Sequence, residues 1–220
     1  MGSNSSRFTQ SNTDTGPGRI LPGFEHINRY WDKHRECYAA KILPGEFYVT
    51  MHDEMVTTVL GSCISACIRD RVFGVGGMNH FMLPVDRDTT SSVAVHGATP
   101  AARYGGFAME ALINEILKAG GRRDNLDVKI FGGGQILNNM TAIGRMNIDF
   151  VRHFIETENL TLLAEDVGDV YPRKVQYFPS SGRARVQRLR SLHNNTIVER
   201  ETHYRDSLGT QPIEGEIDLF

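Results

Sequence analysis

Two of the three cysteines, Cys63 and Cys67, lie close together in the stretch TTVLGSCISACIRD. Their C-x3-C spacing is not the C-x2-C of redox sites and zinc knuckles, and no second pair follows at zinc spacing. We therefore expect neither a bound metal nor another cofactor. Cys63 follows a Gly-Ser bend whose backbone N–H groups can approach its sulfur, whereas Cys67 lies inside an apolar run. These surroundings make Cys63 a candidate nucleophile and Cys67 a small core residue.

A histidine in the next predicted strand is the candidate base for Cys63. Folding residues 63–68 back on residues 75–83 pairs positions whose numbers sum to 143, which sets Cys63 opposite His80. Directly opposed residues of antiparallel strands have Cβ atoms about 4.5–5.5 Å apart, so an imidazole can reach a thiol. Held as thiolate and imidazolium, such a pair is a strong nucleophile near neutral pH. The alternative is that both are ordinary core or surface residues, and pairing geometry alone favours that alternative.

A catalytic histidine usually has a third residue that orients its ring. Thr57 and Thr58 are adjacent on the incoming strand and point to opposite faces, so only one of them can face the site. The spacing does not say which. Backbone N–H groups near Gly61 and Ser62 are candidates for stabilising an oxyanion, and Asn79 is a further candidate.

The elements that must position these residues form a mixed α/β pattern. Apolar, β-branched and aromatic runs predict strands at residues 47–50, 55–60, 63–68, 75–83, 128–131, 160–164, 174–178 and 184–189. An apolar stripe predicts a helix at residues 107–118, and Asn147 is predicted to N-cap a second helix that reaches about residue 158. We expect a single domain from about residue 36 to 190.

The flanking segments differ in composition from this domain. Residues 1–35 begin with a polar stretch and are predicted to be a disordered or weakly ordered arm, and residues 191–220 are predicted to be an acidic, mobile tail. The apolar runs are far shorter than the ~20 residues of a membrane span, and no signal peptide is recognisable, so we expect a cytoplasmic protein without membrane insertion. A net charge of -2 creates no positive electrostatic field that would attract nucleic acid. The basic run between residues 173 and 190 is interpreted as a solvated hairpin.

The residues singled out above resemble those of the CheD family, the chemoreceptor glutamine deamidases of bacterial chemotaxis. The pattern T-x5-C-x16-H is filled by Thr57, Cys63 and His80 within the texts TVLGSC and GGMNHFMLP. The resemblance continues through Phe131–Gly134, residues 143–147 and residues 164–168, and covers about residues 45 to 178. It implies that Cys63 is the nucleophile, His80 the base and Thr57 the residue that orients His80.

The resemblance also implies a fold, an activity and partners. The implied fold is a single α/β domain, a β-sandwich flanked by helices, similar to the catalytic domain of toxins that deamidate glutamine. The implied activity is that of a protein-glutamine glutaminase acting on methyl-accepting chemotaxis receptors, with a CheC-type phosphatase as a further partner. Two alternatives stay open: a receptor-binding or CheC-binding adaptor without turnover, and another thiol-dependent amide hydrolase.

Overall fold

The computed structural model describes residues 18–84, 100–136, 141–190 and 195–208, which form two five-stranded sheets. The strands, in chain order, are β1 (Asn28–Asp32), β2 (Cys37–Lys41), β3 (Phe47–Thr50), β4 (Met55–Leu60), β5 (Ile64–Asp70), β6 (Gly76–Asn79), β7 (Leu126–Gly132), β8 (Thr161–Val167), β9 (Arg173–Phe178) and β10 (Arg183–Arg188). The first sheet has the order β1-β2-β4-β9-β10 and the second the order β3-β6-β5-β7-β8. Strands β4 and β5 are consecutive in the chain but belong to different sheets.

Three helices accompany the sheets: α1 (Pro100–Lys118), α2 (Thr141–Thr157) and α3 (Asn195–Leu208). Helices α1 and α2 pack against the second sheet, and one hydrophobic cluster joins side chains of both sheets and of these two helices. The predicted fold class is confirmed: the chain is a single mixed α/β domain, and its two sheets with packed helices agree with a sandwich flanked by helices.

The hairpin of β5 and β6 has a different register from the one predicted. Cys67 pairs with Met78 and Ile68 with Gly77, so paired residue numbers sum to 145 instead of 143. The connection sets this register, because the Asp70 N–H donates to the Val75 carbonyl at 2.8 Å. Side chains alternate between faces with a period of two, so a shift of two residues leaves every side chain on its predicted face. Cys63 therefore does not lie directly opposite His80, but both keep the same face.

Both predicted helices start earlier than expected. Helix α1 begins at Pro100, seven residues before the predicted start, and contains Gly105, where a Cβ atom would lie 2.5 Å from the Phe150 ring. Glycine weakens a helix in isolation, and here it allows close packing of α1 on α2. Helix α2 begins at Thr141, so the predicted N-cap Asn147 is wrong. Asn147 lies in the middle of the helix and is buried.

Regular structure also occurs in the segments assigned to the arm and the tail. Strand β1 pairs with β2 in an antiparallel arrangement, and the Trp31 and Tyr38 rings contact each other edge to face. Helix α3 occupies residues 195–208 of the predicted tail. Residues 1–17 and 209–220 lie outside the described residues. None of the described helices is both long enough and apolar enough to cross a membrane.

Candidate active site

The candidate nucleophile lies in the loop through which the chain passes from the first sheet to the second. This loop, Gly61–Cys63, joins the end of β4 to the start of β5, and we call it the nucleophile loop. All three of its residues are buried, and the exposed fraction of Cys63 is 0%. At Gly61 an added Cβ atom would lie 2.4 Å from the Ile136 side chain, which accounts for glycine at the start of the loop.

Two carbonyl groups of the nucleophile loop are held by a glycine turn that follows β7. The Gly133 N–H donates to the Cys63 carbonyl and the Gly134 N–H donates to the Gly61 carbonyl, both at 2.7 Å. Gly132 and Gly133 have positive φ angles of 113° and 64°, and a Cβ atom at Gly132 would lie 2.2 Å from the Cys63 carbonyl oxygen. Only glycine fits this close approach of two backbones.

The remaining carbonyl of the loop is held by Asn147 of α2. Its Nδ2 group donates to the Ser62 carbonyl at 2.8 Å, while its Oδ1 atom accepts from the Leu83 N–H at 2.8 Å. Leu83 lies three residues after His80. One buried amide thus connects the nucleophile loop to the segment that carries the candidate base.

All three carbonyls of the loop thus accept hydrogen bonds. The three backbone N–H groups of the loop converge on one carboxylate, that of Glu201 in α3. The Gly61 N–H donates to Glu201 Oε1 at 2.7 Å, and the Ser62 N–H donates to Oε2 at 2.8 Å. The Cys63 N–H contacts Oε1 at 3.3 Å, and the Ser62 hydroxyl donates to Oε2 at 2.6 Å. Successive backbone N–H groups that point inward form an anion-binding concavity. The predicted oxyanion candidates Gly61 and Ser62 both belong to it.

The candidate base His80 is buried, with an exposed fraction of 0%. Its Nδ1 atom lies 2.8 Å from Thr58 Oγ1, and the same hydroxyl donates to the Ile42 carbonyl at 2.8 Å. A hydroxyl has one proton to donate, and a carbonyl can only accept a hydrogen bond. The Thr58 oxygen must therefore accept a hydrogen bond from the Nδ1–H group of His80. The lone pair is then on Nε2, which has no hydrogen-bond partner among the described residues. This tautomer leaves Nε2 free to take a proton.

The ring contact predicted for Thr57 is made by Thr58. The Thr57 hydroxyl donates to the Val175 carbonyl at 2.9 Å, on the opposite face of β4 from His80. Alternation between faces could not distinguish the two threonines, because both are buried and every residue of β4 except Val59 is buried. The geometry therefore replaces Thr57 by Thr58 as the residue beside the ring.

The predicted oxyanion candidate Asn79 is directed away from the site. Its Oδ1 atom accepts from the Ala66 N–H at 2.8 Å, and its Nδ2 group donates to the Ala108 carbonyl at 3.0 Å. The side chain thus connects β5 to α1. It has a structural role here, and its hydrogen bonds do not involve the nucleophile loop.

The structure does bring Cys63 and His80 together. The Cys63 sulfur, a His80 ring nitrogen and a Glu201 carboxylate oxygen all lie within 4.8 Å of one another. Such a set of donors could bind a metal ion, but both Glu201 oxygens already accept hydrogen bonds from the nucleophile loop. Backbone N–H groups of the loop therefore hold the carboxylate in place.

The electrostatic environment favours neutral forms of both residues. Burial, followed by the charge of Glu201 and a hydrogen bond to it, raises the pKa of the Cys63 thiol well above its usual value. Burial, followed by the charge of Arg200, lowers the pKa of His80 to about 3. The expected thiolate–imidazolium pair is thus disfavoured while α3 is in place. The neutral imidazole has the protonation state that a general base requires, but a pKa of about 3 makes it a weak base in this buried arrangement.

A small cavity of about 70 Å³ adjoins His80 on the side of α1. Gly45, Tyr104 and Phe107 are among its lining residues, and Phe107 is an exposed aromatic side chain. The Tyr104 hydroxyl contacts the Tyr204 hydroxyl of α3. Residue 80 borders this cavity, and the His80 side chain nevertheless has no exposed surface.

Three roles in the site were not predicted from the sequence: that of Thr58 beside the ring, that of Asn147 as an anchor of the loop, and that of Glu201 on the loop N–H groups. The spacing of residues presents Thr57 and Thr58 as equal candidates, and only the family resemblance favours Thr57. Asn147 belongs to the segment 143–147 that carries the family resemblance, which is a signal for a role beyond the predicted helix cap. Glu201 lies 138 residues after Cys63 in a polar segment, and no local pattern connects the two.

A buried cysteine, a histidine of fixed tautomer and a row of inward N–H groups lie together on a two-sheet α/β fold. These are the groups that enzymes of the thiol acyl-transfer class use. Residues 82–188 match the family model described as CheD chemotactic sensory transduction. The chain is 54% identical over 200 residues to a protein of Halorhodospira halophila, covering 91% of this chain and 93% of that one. It is 47% identical over 204 residues to one of Hahella chejuensis, covering 93% and 95%, and 51% identical over 195 residues to one of Methylobacillus flagellatus, covering 88% and 95%.

All three relatives have the name "Probable chemoreceptor glutamine deamidase CheD". At this level of identity over nearly the whole length, the chain belongs to the CheD family. The resemblance recognised in the sequence is confirmed.

Proposed function

We propose that this protein deamidates glutamine side chains of chemoreceptors to glutamate, with Cys63 as the nucleophile. The names of the relatives support the reaction and the substrate. The observation that supports the cysteine mechanism is the convergence of Cys63, His80 and the N–H groups of the nucleophile loop on one point.

The proposed reaction has two steps. His80 Nε2 takes the thiol proton while Cys63 Sγ attacks the carboxamide carbon, and the developing oxyanion is stabilised by the N–H groups of the nucleophile loop. The C–N bond then breaks, and the proton passes from His80 to the departing ammonia. Water, deprotonated by the same nitrogen, hydrolyses the thioester and leaves glutamate. Thr58 keeps the Nδ1 proton in place throughout.

Intact-mass spectrometry of a receptor cytoplasmic fragment tests this proposal. Wild-type protein should add about 1 Da per modified glutamine, because an amide becomes an acid, and Cys63→Ala should add nothing. Cys67→Ala is the matched control, since Cys67 lies in the core of β5 and should leave the reaction intact. An equal mass gain with Cys63→Ala, or no gain with any receptor fragment, contradicts the proposal.

The same experiment separates the alternatives. An adaptor without turnover would bind the fragment and leave its mass unchanged. A protease would produce shorter fragments, and a transamidating enzyme would produce adducts with added amines, so neither product pattern agrees with deamidation.

We further propose a cytoplasmic location, where receptor cytoplasmic domains are accessible, and a CheC-type phosphatase as a second partner. The family resemblance alone supports this partner. Co-purification of the full chain with the CheC-type protein of its own organism tests the pairing, and absence of a complex at micromolar concentrations would contradict it.

A further inference from the structure

The proposed nucleophile and base are completely covered in this structure. Cys63 and His80 each have an exposed fraction of 0%. A glutamine on another protein cannot reach a buried sulfur unless a covering element moves. The group that accepts hydrogen bonds from the backbone N–H groups of the nucleophile loop is the carboxylate of Glu201 from α3.

Glu201 has the chemical form of the proposed reaction product. Deamidation converts a glutamine side chain into a glutamate side chain next to the nucleophile. Glu201 places its carboxylate on the N–H groups of all three loop residues and on the Ser62 hydroxyl. These are the groups that would stabilise the oxyanion and then contact the newly formed carboxylate.

Helix α3 presents this side chain with little apolar support. Its side chains toward the domain are Ile197, Glu201, Tyr204 and Leu208, which recur at helical spacing on one face. Of these, Ile197 and Leu208 are the buried apolar residues of the helix, and Tyr204 is half-buried at the edge of the core. Two buried apolar side chains anchor a helix only modestly, so displacement of α3 is feasible without unfolding the domain.

Polar contacts hold the rest of the helix in place. The Tyr204 hydroxyl meets the Tyr104 hydroxyl of α1, and an Arg200 guanidinium nitrogen donates to the Val59 carbonyl at 2.6 Å. Water or the polar groups of a partner can replace such contacts when the helix leaves. The loss of these hydrogen bonds is therefore a small obstacle to opening the site.

We propose that α3 is an autoinhibitory element: Glu201 occupies the product subsite, and α3 must leave before a receptor glutamine can enter. This inference rests on the proposed deamidase function and adds its regulation. A partner that binds α3, or a receptor that competes with it, would activate the enzyme.

The first test compares Glu201→Ala with Glu199→Ala in receptor deamidation. Glu199 is exposed on the same helix and serves as the matched control. If α3 blocks the site for more than nine-tenths of the time, Glu201→Ala raises kcat/KM at least about tenfold, chiefly through a lower KM, and Glu199→Ala leaves it unchanged. The double variant C63A/E201A should be inactive.

The second test uses the protein as its own substrate and needs no receptor. In Glu201→Gln, a carboxamide replaces the carboxylate in the subsite. Cys63 should form a thioester with its carbon, release ammonia and yield glutamate after hydrolysis, so that the peptide containing residue 201 gains about 1 Da. Neither the double variant C63A/E201Q nor Glu199→Gln should change in mass.

The outcomes separate this inference from the proposed function. A Glu201→Ala variant that is no faster than a receptor-active wild type overturns the inference and leaves the function intact. A folded, receptor-active Glu201→Gln variant whose side chain at position 201 keeps its amide also overturns it. Activation of the wild type by EDTA to the level of Glu201→Ala, with no further effect of EDTA on Glu201→Ala, would make Cys63, His80 and Glu201 a metal site and likewise overturn it. Absence of receptor deamidation by every variant, together with an unchanged mass of Glu201→Gln, contradicts the deamidase function itself.

Discussion

At the scale of single residues, the proton of one hydroxyl fixes the tautomer of the candidate base. The Thr58 hydroxyl donates its proton to the Ile42 carbonyl, so its oxygen must accept a hydrogen bond from the Nδ1–H group of His80. A neutral threonine stabilises an imidazolium less than a carboxylate would. The contribution of Thr58 is therefore mainly positional: it sets the tautomer and the orientation of the ring.

Replacement of Thr58 should affect turnover more than substrate binding. We expect Thr58→Val to lower kcat at least about tenfold, since loss of one positioning hydrogen bond of about 1.4 kcal/mol is tenfold in rate. KM should change little, and Thr58→Ser should restore most of the activity. Steady-state kinetics with a receptor fragment measures both parameters.

Thr57→Val is the matched control, because Thr57 is equally buried and its hydroxyl bonds only to the Val175 carbonyl. It should reduce the free energy of unfolding by about 1 kcal/mol and leave kcat unchanged. A larger loss of kcat in Thr57→Val than in Thr58→Val would contradict the orienting role of Thr58.

At the scale of elements, the nucleophile loop is shaped by segments that are far apart in the chain. The glycine turn after β7 and Asn147 of α2 hold its carbonyls, and this leaves its N–H groups directed at the site. Helix α2 approaches the turn closely because residue 144 is a glycine: a Cβ atom on Gly144 would lie only 2.7 Å from the Gly133 carbonyl oxygen. The direction of the loop N–H groups thus depends on the packing of α2 on the turn.

Replacement of Asn147 should weaken both the fold and the reaction. Asn147→Ala leaves the Ser62 carbonyl and the Leu83 N–H unsatisfied in a buried environment, and we expect a loss of about 2–3 kcal/mol in the free energy of unfolding. The rate should fall as well, because the loop is free to rotate its N–H groups away from the substrate. Urea denaturation and the receptor assay measure the two effects.

The control is Asp149→Asn, an exposed position on the same helix whose nearest cation, Arg145, is 3.8 Å away. It should change the free energy of unfolding by less than about 0.5 kcal/mol. Equal effects of the two substitutions would argue against an anchoring role for Asn147.

At the scale of the whole molecule, an ion pair joins the two sheets behind the site. Arg173 of β9 in the first sheet is fully buried, and its Nε atom donates to Asp166 of β8 in the second sheet at 2.9 Å. Arg188 of β10 contacts the same carboxylate at 3.1 Å. Burial acts to raise the pKa of Asp166, but hydrogen bonds from Arg188 and Arg173 outweigh it and lower that pKa. One carboxylate therefore neutralises a buried cation at the junction of the sheets.

Loss of this carboxylate should destabilise the fold. Asp166→Ala strands the buried Arg173 charge, and we expect a decrease of about 2–3 kcal/mol in the free energy of unfolding at pH 7. A carboxyl whose pKa is lowered on folding stabilises the protein above its unfolded pKa of about 4, and this contribution disappears as the pH falls below that value. The difference between wild type and variant should therefore shrink below about pH 4, as urea denaturation at a series of pH values would measure.

A substitution at Asp169 tests whether any nearby carboxylate has the same effect. Asp169 is exposed, lies 3.5 Å from Arg188 and accepts a hydrogen bond from the Val170 N–H at 2.6 Å. Its positive φ angle of 64° favours Asn over Ala, so Asp169→Asn is the better control. A loss in Asp169→Asn as large as that in Asp166→Ala would contradict the junction role.

Much of this protein was determined by local sequence. The alternation of short apolar strands with one amphipathic helix indicated the α/β class, and period-two alternation kept Cys63 and His80 on one face even with the register shifted by two. The Gly-Ser bend before Cys63 predicted inward N–H groups. The strand class and the face of each side chain depend on neighbours in the chain, which is why pattern sufficed for them. The direction of the loop N–H groups depends also on the distant glycine turn and on Asn147.

Only the tertiary structure decided which threonine meets the ring, because both faces of β4 are buried and alternation then carries no signal. It alone showed that Asn147 anchors the nucleophile loop instead of capping a helix. It also brought Glu201, 138 residues after Cys63, onto the loop. A contact of this kind depends on where α3 packs on the folded domain, and no local propensity of a polar segment encodes where that segment docks.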